Sequence, residues 1–169
     1  GTVALAGNNT FTGNVTIDSG VLELASSGKL YTGGYNNTAV ITINAGGTWR
    51  VPDFSYGGVG QLADYAARRV ISGGTIEVTG NTSSGQDFTV DADGGTFRFN
   101  PTNTSDTLSL TGNSNSNIQL NGALTFQADG NIAVSEIIEG AGSLTKAGSQ
   151  TLTLSGANTY TGATTVSDG

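Results

Sequence analysis

There is no cysteine, no histidine and no methionine in this chain, and each absence removes some chemistry. Without cysteine no disulfide can hold the fold, so stability has to come from backbone pairing and core stacking. Without histidine and cysteine the Ser-His and Cys-His nucleophile pairs are gone, together with nearly all zinc sites. Proline occurs only twice, and charged residues make up 11% of the chain, which argues against a proline-rich linker or a collagen-like rod. Basic residues number six against thirteen acidic ones, a net charge of −7. Such a surface repels phosphate backbones, so neither nucleic acid nor an anionic membrane is an expected partner. No apolar run approaches the ~20 residues of a membrane-crossing helix, so this segment is not expected to insert into a bilayer. The chain opens at Gly1 with no methionine and no signal peptide, as expected for an excised or processed piece of something larger.

What is abundant is glycine, 27 of 169 residues, more than twice the average share. It punctuates short stretches of apolar–polar alternation, the period-two pattern of strands. Val15-Thr16-Ile17, Val21-Leu22-Glu23-Leu24, Val40-Ile41-Thr42-Ile43 and Thr151-Leu152-Thr153-Leu154 all read this way. Nearly every such run is bounded by Gly, Asn, Asp or Ser, the residues that turns favour.

One phrase recurs: Gly46-Gly47-Thr48-Trp49-Arg50-Val51, Gly73-Gly74-Thr75-Ile76-Glu77-Val78 and Gly94-Gly95-Thr96-Phe97-Arg98-Phe99, with a looser copy at Asn121-Gly122-Ala123-Leu124-Thr125-Phe126. The second glycines stand at 47, 74, 95 and 122, intervals of 27, 21 and 27 residues. A period in this range marks stacked coils, each too small to bury its apolar face alone. A sandwich needs Greek-key excursions and predicts no phrase repeated at coil spacing. The expectation is an all-β parallel β-helix (β-solenoid) of roughly seven coils, occupying 1–169 as one domain. A short helical or irregular excursion is expected near 61–71, where Leu62, Tyr65, Ala66, Arg69 and Val70 have helical spacing. It reads as a loop against the solenoid side or, less simply, as a docking element.

The two ends resemble each other. At an offset of 149 residues, Thr2, Leu5, Gly7, Asn9, Thr10, Thr12, Gly13, Thr16 and Gly20 match Thr151, Leu154, Gly156, Asn158, Thr159, Thr161, Gly162, Thr165 and Gly169. Either the solenoid reuses one coil type, or the chain is one unit of a longer array or fibre. Neither end carries an obvious cap, which favours the array. Thr2, Val3 and Leu5 would then form one assembly end, and Thr164 and Val166 the other, with copies of the chain or adjacent repeats as end-to-end partners.

Residues 140–148 (Gly-Ala-Gly-Ser-Leu-Thr-Lys-Ala-Gly), followed by 151–166 (Thr-Leu-Thr-Leu-Ser-Gly-Ala-Asn-Thr-Tyr-Thr-Gly-Ala-Thr-Thr-Val), closely resemble the autotransporter-associated β-strand repeat. Leu5 to Gly20 is a weaker match to the same phrase. The resemblance implies a right-handed parallel β-helix, secretion, and a place outside the cell or on a bacterial outer surface. It implies a stalk or passenger scaffold with no catalytic residue to carry over and no cofactor.

Few of the remaining residues suggest chemistry. Asp87, Asp91 and Asp93 share strand parity, but lie among Gly, Ala and Thr with no groove-lining aromatic nearby. Solvated turn carboxylates explain them better than a glycosidase pair. Asp91-Ala92-Asp93-Gly94 resembles the opening of a calcium loop, without the distal glutamate that closes one. Tyr31, Tyr35, Trp49 and Tyr56 cluster in sequence, and aromatic faces stack on sugars, so a lateral glycan-binding patch is weighed against ordinary packing. The chain is expected to be structural rather than enzymatic, with an adhesin passenger as the alternative.

Overall fold

The computed structural model describes residues 1–10, 12–25, 28, 30, 39–52, 68–80, 83–84, 87–111 and 117–169. The first turn runs through β1 (Thr2–Leu5) and β2 (Val15–Ile17), the second through β3 (Gly20–Leu24) and β4 (Val40–Asn44), the third through β5 (Gly47–Val51) and β6 (Arg68–Ser72). Three turns then carry three strands each: β7 (Thr75–Val78), β8 (Ser83–Ser84) and β9 (Phe88–Val90); β10 (Gly95–Phe99), β11 (Thr107–Leu110) and β12 (Asn117–Leu120); β13 (Leu124–Ala128), β14 (Asn131–Val134) and β15 (Ile137–Gly140). The last strands are β16 (Leu144–Ala147), β17 (Leu152–Leu154) and β18 (Thr164–Val166).

These strands stack into three parallel sheets, one per face of a solenoid. Face one is β1-β3-β5-β7-β10-β13-β16-β18, face two is β8-β11-β14-β17, and face three is β2-β4-β6-β9-β12-β15. The chain passes from face one to two to three and back. About five turns, β3–β4 to β13–β15, have a coil on both sides. That is slightly fewer than the seven coils expected; the outer turns at each end make up the difference.

Period-two sequence becomes period-two burial. In β5 and β13 alternate residues are buried and half-buried throughout. Each inward side chain lies over the same position one turn on, so every coil seals the apolar face of its neighbour. On face one Trp49, Ile76, Phe97 and Phe126 form one such column. On face three Ile43, Ile71, Val90 and Leu120 form another. Leu108, Ile132 and Leu152 follow on face two. Phe97 stacks on Phe88 at 5.3 Å and meets Phe126 edge-on at 5.8 Å, geometries that suit the ring quadrupoles.

The repeated phrase marks the corner into face one. Gly46, Gly73 and Gly94 have φ of 88°, 80° and 72°, the left-handed region open to glycine. Thr48, Thr75 and Thr96 then stack on Thr125. The looser fourth copy is therefore displaced by two residues from the expected alignment, because Phe97 pairs with Phe126 and not with Leu124. The slip of two keeps every side chain on its own side of the sheet.

Among the described residues there is no helix, so none long and apolar enough to cross a membrane. The excursion expected near 61–71 is corrected at its end: residues 68–71 belong to β6, where Val70 and Ile71 stack on Thr42 and Ile43. β-Branched side chains facing an existing ladder outweigh the helical spacing. Residues 61–67 lie outside the described residues.

Candidate functional site

β1 and β18 are the outermost rungs of face one. The column through Trp49 continues at both ends, running Val3, Leu22, Trp49, Ile76, Phe97, Phe126, Lys146, Val166. Trp49, Ile76, Phe97 and Phe126 are at most 1% exposed, whereas Val3 is 60% and Val166 69% exposed. Thr2 and Thr165 likewise terminate the outward column of Val21, Thr48, Thr75, Thr96, Thr125 and Thr145.

The five residues singled out as assembly ends thus sit at the two ends. Thr2 and Val3 are exposed and Leu5 half-buried in β1; Thr164 and Val166 are exposed in β18. Beside β18 the core opens into a pocket of about 400 Å³, lined by Leu144, Lys146, Leu152, Leu154, Thr164 and Val166. At the other end Leu5, Val15 and Leu22 are only partly covered. Both ends present the apolar cross-section of a β-solenoid.

Lys146 is 8% exposed in the interior column. Its Nζ donates to the carbonyl oxygens of Gly148, in its own turn, and of Asp168, one turn on, the latter at 2.6 Å. The aliphatic stem fills the column while the ammonium is satisfied by main-chain oxygens at the corner.

A second column runs outward on face one: Glu23, Arg50, Glu77, Arg98. Arg50 donates to Glu77 at 2.9 Å and to Glu23 at 3.3 Å, and Arg98 to Asp129 at 2.6 Å. Burial alone would push the Glu77 carboxyl up, but hydrogen bonds from Asn100 and Arg50 and the charges of Arg50 and Arg98 outweigh it and hold the group below the usual carboxylate value. The Glu77 bond and, against burial, its charge and Glu23 raise Arg50. This column was not among the expectations from sequence, although its signal is present there. The fifth residue of the three Gly-Gly-Thr phrases is Arg, Glu, Arg.

Arg69 is 5% exposed in β6 and faces inward in the column of Ile41. Burial lowers it to about 10, with Asp87 and Glu136 opposing, and its Nη1 donates to the Asp87 carbonyl at 3.1 Å.

Of the lateral patch, Trp49 is corrected: it is 1% exposed, an inward residue of β5 between Leu22 and Ile76, and presents nothing to a sugar. Tyr31, Tyr35 and Tyr56 lie outside the described residues. Asp91 and Asp93 sit at the turn between β9 and β10. The Asp91 carboxylate accepts from the Asp93 backbone at 3.0 Å, and Asp93 accepts from Ser72 at 3.2 Å. Asp87 accepts from the Asn117 backbone at 3.1 Å. Among the described residues no group of three or more metal-binding side chains comes together.

The two ends also resemble known proteins. Residues 1–24 and 144–169 match the passenger-associated-transport-repeat family. The repeats are the two ends themselves: β1 to β3 in one copy, β16 to β18 in the other. The chain is also 34% identical over 166 residues to the adhesin BmaC autotransporter of Brucella suis biovar 1 (strain 1330), covering 94% of this chain and 4% of that protein. It therefore spans a small fraction of that relative's length. No solved structure matches. The resemblance to an autotransporter repeat thus holds at both ends, with β4 to β15 between the two copies.

Proposed function

We propose that this chain is a unit of a passenger stalk on a bacterial surface or in the extracellular space, whose coils continue coaxially into neighbouring coils at both ends. The observation that carries this reading is the unbroken face-one column that ends in Val3 and Val166, with transport repeats at both of those ends. In a joined chain the matched phrase is shared and β18 stands where β2 stands, whereas in a docked second copy β1 laid under β18 would set Val3 below Val166 and Thr2 below Thr165. That keeps apolar over apolar inside and hydroxyl over hydroxyl outside. The neighbour is either the next stretch of the same polypeptide or a second copy. The part played by the chain is that of a scaffold, with no catalytic step.

Negative-stain electron microscopy of the purified chain over a concentration series tests docking between copies. Thin unbranched fibres that lengthen with concentration support it. Isolated short rods at every concentration would restrict continuation to the covalent chain.

A second reading is an adhesin passenger, favoured by the likeness to the Brucella adhesin. Retention of the purified chain on immobilised glycans or host-cell surfaces tests it, and uniform failure to bind would leave the scaffold reading alone.

A further inference from the structure

The two copies of the transport repeat occupy different faces of the solenoid. Thr2 to Leu5, strand β1, lies on face one, whereas the matching residues 151–154 hold β17, on face two. The later part shifts in the same sense. Val15–Ile17, strand β2, lies on face three, and its match Thr164–Val166, strand β18, lies on face one. Between them, the Thr159 and Thr161 amides donate to Ile138 and Gly140 of β15, on face three. The whole phrase has advanced by one face.

Counting rungs gives the same result. From β1 the chain returns to face one at β3, β5, β7, β10, β13 and β16, six turns, and then moves on one face to β17. The 149 residues separating the matched phrases thus make six turns and a third, not a whole number.

We infer that in an array of such units joined in one polypeptide, the covalent form of the stalk reading on which this rests, each unit is rotated by a third of a turn relative to the one before it. A feature on the flank of one unit reappears on the next face in the following unit, and returns to its own face only in the fourth. At ~4.8 Å per rung the axial advance is about 30 Å per unit. A stalk built this way presents its flanks to all sides, and no single face accumulates every copy of a lateral partner site.

The test extends the full chain at Gly169 by residues 21–169, once more and then again, so that three units are joined in phase. Thr107 is exposed in β11, and the chain has no cysteine of its own. A Thr107→Cys substitution in each unit therefore gives three unique sites for a maleimide-linked protein label visible by electron microscopy. Rods whose labels leave on three different sides, a third of a turn apart, support the inference. Rods with all labels in one row overturn it. Absence of rods would instead sink the stalk reading, and the face shift is then decided in the single chain by cross-linking. Ala4→Cys with Glu23→Cys and Ala133→Cys with Thr153→Cys are register neighbours on faces one and two, and both pairs should oxidise to disulfides. Cross-linking of Thr153→Cys to Gln127→Cys, in the column that contains Ala4, with none to Ala133→Cys, would mean that the phrase keeps its face, and the rotation would be refuted.

Discussion

Arg50 Nε donates to Glu77 Oε2 at 2.9 Å across one rung of face one, and the Glu77 side chain is 6% exposed while that of Arg50 is 35%. Glu77 also accepts from Asn100 at 2.8 Å. Together with Glu23 and Arg98, the pair makes a column in which signs alternate at each coil, so a slip of one coil would set like charges together.

The depressed Glu77 carboxyl gives a pH prediction. Its stabilising contribution is complete above the ordinary value of 4.5 and fades as the pH falls below that value and through the lower folded one. Glu77→Gln should cost roughly 2 kcal/mol at neutral pH and flatten the stability profile on the acid side. Urea denaturation at several pH values measures both.

Gly47 packs against the turn before it so closely that an added Cβ would lie 2.1 Å from the Ile17 carbonyl oxygen. Gly7 has nothing within 4 Å of the same position. Gly47→Ala should lower the thermal midpoint by several degrees, since backbone has to move, and Gly7→Ala should leave it unchanged. Calorimetry of the two variants side by side separates corner geometry from helix or strand propensity.

Phe97 is the centre of the interior column, in ring contact with Phe88 and Phe126. Phe97→Ala should cost about 3–5 kcal/mol, and Phe97→Leu clearly less. Trp49→Ala should behave like Phe97→Ala, losing stability rather than selectively losing glycan retention. Denaturant midpoints together with near-ultraviolet circular dichroism check this.

Lys146 ties the corner at Gly148 to the corner at Asp168 one turn on. Lys146→Met keeps the volume of the stem and removes the donors. Hydrogen exchange should quicken at residues 167–169, starting with the Ser167 amide that now donates to the Lys146 carbonyl at 3.0 Å, while β13 stays protected. Exchange unchanged at both places would show that the ammonium holds nothing.

The fold was largely legible because a solenoid repeats its local rules. Thr48, Thr75 and Thr96 announce one column in sequence, and the glycines before them announce its corner. Trp49 was open to two readings because an aromatic suits both a core and a sugar, yet its parity with Val51 already placed it inside. Lys146 shares parity with the inward Leu144, but its charge argued for the outside. Only the carbonyls that the fold brings to the corner make its burial tolerable. Arg69 was hidden for the same reason, and more so because helical spacing masked a strand. The face shift between Thr2 and Thr151 depends on the turn count, which coils of unequal length conceal in the sequence.

In the proposed stalk, coils continue coaxially from one unit into the next. Small-angle X-ray scattering of the single chain and of the two-unit chain joined at Gly169 tests it most directly. An unchanged cross-section and a rod longer by about 30 Å, six and a third rungs at ~4.8 Å, are expected. A thicker particle, or two bodies hinged about a flexible joint, would contradict it.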